Sequence, residues 1–187
     1  MTPVAPLPRP AAGRGGGLRR WYEDGLGWAT APGSPVRLVT GLRFDVLDVP
    51  AEAGAAALRC LDPRSPVALH GGRMRFLVAA GGADELPGLL EWLEWGGLDL
   101  DLAVIGAGGR MEAPPPPVPA RRSGPREAAV WLRPPEPGSE VEASLPALSA
   151  PGGGGGAADL VRLVDTMANE CHRVRLRRAC AQPLAFS

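Results

Sequence analysis

The chain has 187 residues with 20 basic and 20 acidic side chains, so its formal charge is zero and it lacks the global positive field of a domain that binds phosphate backbones non-specifically. Three cysteines, at Cys60, Cys171 and Cys180, have neither Cys-x-x-Cys nor His-paired spacing, which argues against a disulfide framework and a zinc site. No apolar run reaches the ~20 residues of a membrane span and no secretory leader pattern opens the chain, so the expectation is a reduced protein of the cytoplasm, with no membrane partner.

Every basic residue is arginine, and glycine (26) and proline (22) are abundant, a bias that reflects a GC-rich genome more than a function. Residues 1–17 are rich in Pro, Ala and Gly and hold too little apolar surface to offset ordering entropy, so they read as a disordered tail. Leu18, Trp21 and Tyr22 fall at helical spacing and Gly25 can close the turn, which predicts a short helix over 18–24. Residues 36–39 and 44–49 are β-rich runs separated by Thr40-Gly41, expected as adjacent strands around a turn. Pro50 is placed to start a helix over 51–61, whose small face (Ala53, Ala56, Ala57, Cys60, Leu61) lets it sit close to a sheet.

Residues 66–70 and 73–79 flank Gly71-Gly72 and predict a hairpin whose two glycines take positive φ. Asp84 is the expected cap of the next helix, with Pro87 in its first turn and Leu86, Leu89, Leu90 and Leu93 as its buried stripe. A second hairpin is expected from 98–104 and 110–113 around Gly106 to Gly109, and a last strand over 128–132. Residues 133–156, ending in five glycines, read as a flexible linker. In the helix expected over 157–180, Leu160, Leu163, Val164, Met167, Cys171 and Val174 keep helical spacing, a stripe that should dock on the domain or on a second copy. The order of elements predicts one α+β domain over 18–132, a mixed sheet with antiparallel hairpins and packing helices.

Four short motifs bear on chemistry. Leu47-Asp48-Val49-Pro50 puts a carboxylate at the end of a strand leading into a helix. Gly71-Gly72-Arg73-Met74-Arg75-Phe76 opens a strand after a glycine pair. Asp99 and Asp101 alternate with leucines and share a face, and Gly108-Gly109-Arg110-Met111 runs into Ala113-Pro114-Pro115. In this order and spacing, residues 18–132 resemble the prim-pol domain, the N-terminal part of bifunctional DNA primase/polymerases.

The resemblance implies a cleft where Asp48, Asp101 and Gly72 to Met74 meet at one end of the sheet. It implies Asp48 and Asp101 as catalytic candidates and Asp48, Asp99 and Asp101 as ligands of Mg or Mn in an active enzyme, since nucleotidyl transfer uses carboxylates that converge on two metal ions. The match is degenerate. The family's first motif has a second Asp where Val49-Pro50 stands, and Asp45 cannot replace it, because residues three apart on a strand point to opposite faces. Met74 holds the place of the family's His, and a thioether neither donates a hydrogen bond nor carries charge.

Three readings follow: a catalytically inactive prim-pol-like protein that keeps nucleotide or nucleic-acid binding, an active primase/polymerase, and a protein-interaction scaffold. In the first, Arg73, Arg75 and Arg110 form a phosphate-binding patch. In the third, Trp92, Trp95 and the last helix bind a partner protein or a second copy. Arg173, Arg175, Arg177 and Arg178 could contact phosphates, but cations in a helix's last turn also offset the macrodipole without any partner. Cys171-His172 is not a catalytic dyad, since neighbours on a helix point apart.

Overall fold

The computed structural model describes residues 14–117, 128–138, 140–148 and 160–181. Among these, four helices and eight strands form two antiparallel sheets, an α+β arrangement. The elements are α1 (Arg14–Leu26), β1 (Thr30–Ala31), β2 (Arg37–Val39), β3 (Phe44–Pro50), α2 (Ala51–Ala57), β4 (Val67–His70), β5 (Arg73–Ala79), α3 (Gly82–Trp92), β6 (Ala103–Ile105), β7 (Arg110–Glu112), β8 (Val130–Arg133) and α4 (Leu160–Cys180). One sheet has the order β1-β2-β7 and the other β6-β3-β5-β4-β8. Every pairing is antiparallel, so neither sheet is mixed.

All seven residues of β3 are buried because it lies inside the larger sheet with a core on each face. Leu47 and Val49 point to the helical side, where Met74, Phe76 and Val78 of β5 meet Ala53 and Ala57 of α2, Leu86 and Leu89 of α3, and the stripe of α4. Phe44 and Val46 point to the other side, against Leu38 and Met111 of the small sheet and Tyr22 and Trp28. The alternation of a strand thus assigns the two buried carboxylates of β3 to opposite faces: Asp45 to the helices, Asp48 away from them.

The β4–β5 hairpin forms as expected, with Gly71 at φ 56° and Gly72 at φ 76°, a pair of positive values that side chains resist and glycine takes freely. The other two expected hairpins do not form. β2 pairs with β1 and β7, and β3 with β5 and β6, so Thr40-Gly41 carries the chain from one sheet to the other. Likewise β6 and β7 belong to different sheets, and Gly106 to Gly109 is a second crossing. The two crossings lock together. Thr40 donates from its backbone N to Gly109 O at 3.1 Å and from its hydroxyl to Gly106 O. Gly41, at φ 87°, leaves no room for a side chain, since a Cβ there would lie 2.3 Å from the Cα of Ala107.

Several boundaries move. α1 begins at Arg14, so the last residues of the expected tail are helical, while 1–13 lie outside the described residues. Residues 98–102 are irregular rather than a strand, although Leu100 and Leu102 pack on the core. α2 ends at Ala57 and continues as a single 3₁₀ turn, Leu58–Cys60.

The expected linker over 133–156 is also corrected for the part described. Arg133 belongs to β8, Val141 and Leu145 are buried in the core beside Tyr22, Ser65 donates to Ser144 O, and Ala79 N donates to Pro146 O at 2.9 Å. Apolar anchors on and beside a short 3₁₀ helix, Val141–Ser144, pin this Pro-rich segment. The glycine run at 152–156 lies outside the described residues. α4 docks on its own domain, with Leu160, Leu163, Val164, Met167, Cys171 and Val174 all buried. Among the described residues, no helix is long and apolar enough to cross a membrane.

Tyr22, the single tyrosine of the chain, is fully buried; its hydroxyl donates to Pro114 O at 2.6 Å and accepts from Trp131 Nε1 at 3.0 Å. Burial pushes its pKa well above the ordinary tyrosine value. Because the folded value is the raised one, the contribution of Tyr22 is fully present below the unfolded pKa of about 10 and is lost as pH climbs from there toward the folded value. Tyrosinate absorbance should therefore appear only with unfolding in an alkaline titration, and Tyr22→Phe should flatten the alkaline loss of stability. Early tyrosinate absorbance in the folded protein would contradict this.

Candidate functional site

Strand register builds the site. Asp48 of β3 stands opposite Arg75 of β5, and Arg73 lies two residues along β5 on the same face, opposite Pro50. Such direct and diagonal neighbours are within reach of long side chains. On the other flank of β3, Asp48 stands opposite Ala103; continuing that register two residues past the start of β6 sets Asp101 level with Pro50, and so with Arg73.

The four side chains form one network. Asp48 is buried, and both of its carboxylate oxygens accept: Oδ1 from Arg73 Nε, Oδ2 from Arg75 Nε at 2.9 Å. Arg73 also donates from Nη2 to the backbone oxygen of Asp48 at 2.9 Å and from Nη1 to Asp101 Oδ1 at 2.7 Å. Burial pulls the Arg73 pKa down, but its hydrogen bonds to Asp48 and Asp101 more than offset that, and it stands above the ordinary arginine value. The expected meeting of Asp48, Asp101 and the Gly72 to Met74 segment is therefore present, with a guanidinium between the two carboxylates.

The remaining predicted residues fall elsewhere. Asp99 is almost fully exposed and faces α4, its carboxylate 3.6 Å from Arg175 Nη1. Arg110 is exposed on β7 of the small sheet, opposite Val39, and makes no ion pair with Asp48 or Asp101. The patch of three arginines is thus reduced to Arg73 and Arg75. No group of three or more His, Cys, Asp or Glu able to hold a metal ion occurs among the described residues. With both oxygens of Asp48 bound to guanidinium and Asp99 turned away, Asp48, Asp99 and Asp101 do not converge, and the residues present do not fit a divalent metal pair.

Met74, where the resemblance would put a His, faces the helical core. Its side chain covers Gly54 of α2, where an added Cβ would lie 2.7 Å from Met74 Sδ and 2.9 Å from Met74 Cβ. The imidazole of Met74→His would enter an apolar slot, and burying a polar group without a partner costs about 1–3 kcal/mol. Met74→His should therefore lower the melting temperature without creating nucleotidyl transfer. Gain of transfer in the variant would sink this account of the motif.

The four arginines toward the C-terminal end of α4 are spoken for by acidic neighbours: Arg173 by Glu170 at 3.0 Å, Arg175 by Asp99, Arg177 by Glu52 at 2.6 Å and Arg178 by Asp101 at 3.9 Å. A groove of about 420 Å³ lies between these last turns and the 99–101 segment, with Cys171 and Val174 among its lining residues. Burial, helped by the Asp101 carboxylate, pushes the Cys171 thiol up to about 11, so it is no nucleophile at neutral pH. Trp95 donates to Asp165 Oδ1 at 3.0 Å and covers the edge of α4, whereas Trp92 is 72% exposed.

Asp45 is the residue whose role was not legible. Rather than facing solvent, it is buried on the helical side, and its Oδ2 accepts from Gly81 N at 2.8 Å and Ala83 N at 3.1 Å. From β3 it therefore caps the backbone N–H groups at the start of α3, which Gly81 has no side chain to reach, at an end where anions are favoured by the dipole. Gly81 is the capping residue in place of the expected Asp84, and Pro87 lies past the first turn. The available signal was a charged residue in an otherwise apolar strand, paired with a helix entry, Gly81-Gly82, that carries no capping side chain.

Comparison with models of known families, with curated proteins and with solved structures finds no match to this chain.

Proposed function

We propose that this protein is a prim-pol-like module without nucleotidyl transfer, which holds the phosphate of a nucleotide or nucleic acid through arginine and needs no divalent metal to do so. The observation that carries the reading is the bridging of Asp48 and Asp101 by Arg73, the two carboxylates that the resemblance would assign to metal. Their charge is already neutralised from within the chain, so neither is available to activate an attacking hydroxyl or to steer a metal-bound triphosphate.

What is left over is donor capacity. Arg75 spends Nε on Asp48, and its terminal nitrogens make no hydrogen bond among the described residues, although its side chain is only 14% exposed. A planar guanidinium with free terminal donors suits an oxyanion of phosphate. Local chemistry supports this better than global charge does, since the chain as a whole is neutral.

Titration of a fluorescent nucleoside triphosphate and of single-stranded DNA, once in EDTA and once with Mn²⁺, tests the reading. Saturable binding should persist in EDTA, weaken with salt and fall in Arg75→Gln. Absence of binding under both conditions, or binding that requires Mn²⁺, would refute it. The scaffold reading has one specific observation in its favour, the exposed indole of Trp92, and predicts no nucleotide binding at all.

A further inference from the structure

We infer that Arg73 is a built-in substitute for a divalent cation: it closes a three-oxygen cation site at the end of β3, and removing its side chain would open that site to metal. The inference draws on the preceding reading only in naming what the guanidinium replaces; the geometry stands by itself. Three oxygens converge on Arg73, namely Asp48 Oδ1, the backbone oxygen of Asp48 and Asp101 Oδ1. Two carboxylates and a backbone carbonyl form a hard-oxygen set of the kind that Mg²⁺, Mn²⁺ and Ca²⁺ accept, with water completing the shell.

Position and charge both favour the exchange. Asp48 cannot turn away, because it is buried in a strand paired on both flanks. Asp101 sits on the irregular segment before β6 and is half exposed, so it can shift to the shorter bonds of a metal ion. With Arg73 present the site offers no negative charge: Asp48 faces two guanidiniums, and Asp101 faces Arg73 closely and Arg178 more distantly. With Arg73 gone, the two carboxylates it bridged keep only Arg75 on Asp48 and the more distant Arg178 on Asp101, and uncompensated negative charge in a partly buried place favours uptake of a cation.

The test compares the full-length wild type with Arg73→Ala and with the Arg73→Ala/Asp101→Asn double variant, by calorimetric titration of Mn²⁺ and by melting in EDTA and in Mn²⁺. The wild type should show no saturable Mn²⁺ binding and the same melting temperature under both conditions. Arg73→Ala should melt lower in EDTA, bind Mn²⁺ saturably and recover several degrees in its presence, because a ligand of the folded state stabilises it by mass action. The double variant should lose both responses. Should Arg73→Ala fail to fold in EDTA, Arg73→Met keeps the aliphatic stem and is read the same way.

A folded Arg73 variant that ignores Mn²⁺, a response that survives Asp101→Asn, or Mn²⁺ binding by the wild type that Asp101→Asn removes would each overturn the inference. Failure of the wild type to bind nucleotide would refute the proposed function and leave this inference standing.

Discussion

Ending the chain before α4 should abolish cooperative unfolding altogether. The helix contributes Leu160, Leu163, Val164, Met167, Cys171 and Val174 to the core that covers β3 and β5, each nearly inaccessible to solvent. Burying side chains of this kind stabilises by about 1.5–3 kcal/mol each, so the set amounts to roughly the 5–15 kcal/mol by which a whole domain is stable. The milder change Leu163→Ala should cost about 2–5 kcal/mol, the range for a large-to-small substitution that leaves a cavity. Thermal melts followed by circular dichroism decide this. A truncated chain that melts cooperatively at the temperature of the full protein would mean that α4 is an accessory and not a wall of the core.

Asp48→Ala should lower stability by about 3 kcal/mol, because removing one member of a buried ion network strands the others as uncompensated charges. The partners stranded are Arg75, whose side chain is 14% exposed, and the half-buried Arg73. A shift of roughly 10 °C in melting temperature follows for a domain of this size. Carboxylates poised to hold a catalytic metal behave in the opposite sense, since such sites hold like charges together at a cost in stability, and removing one is neutral or stabilising. An unchanged or raised melting temperature in Asp48→Ala would therefore argue that Asp48 is a functional acid and not part of a closed network.

The parts of the fold that were legible are those set by local chemistry. Two adjacent glycines demand a tight hairpin, and an apolar stripe at helical spacing demands a surface to cover, so β4–β5 and α4 were readable from residues close in the chain. Strand existence was readable too, but not partnership. The runs on either side of Thr40-Gly41 look like a hairpin because alternation reports which residues are buried and carries no information about which strand satisfies the backbone. Only the docking of the two crossings, Thr40 on Gly106 and Gly109 with Gly41 against Ala107, separates them into two sheets.

The alternation over Leu98 to Leu102 has the same lesson. Leu100 and Leu102 do pack inward, yet this backbone pairs as a strand with none of the described residues. At the site, the convergence of Asp48 and Asp101 was readable from motif order, while the identity of what lies between them was not. Arg73 and Arg75 read as donors for phosphate, and only the β3–β5 register sets Asp48 opposite Arg75. Arg110 failed because the second crossing moves β7 into the other sheet.

Incorporation of labelled nucleotide on a primed template, with Mg²⁺ and with Mn²⁺, tests whether Arg73 closes the Asp48–Asp101 pair to metal-dependent chemistry. If it does, the wild type should show no incorporation under either metal. Template-dependent incorporation that disappears in Asp101→Asn, a change at a half-exposed residue that the fold should tolerate, would contradict it.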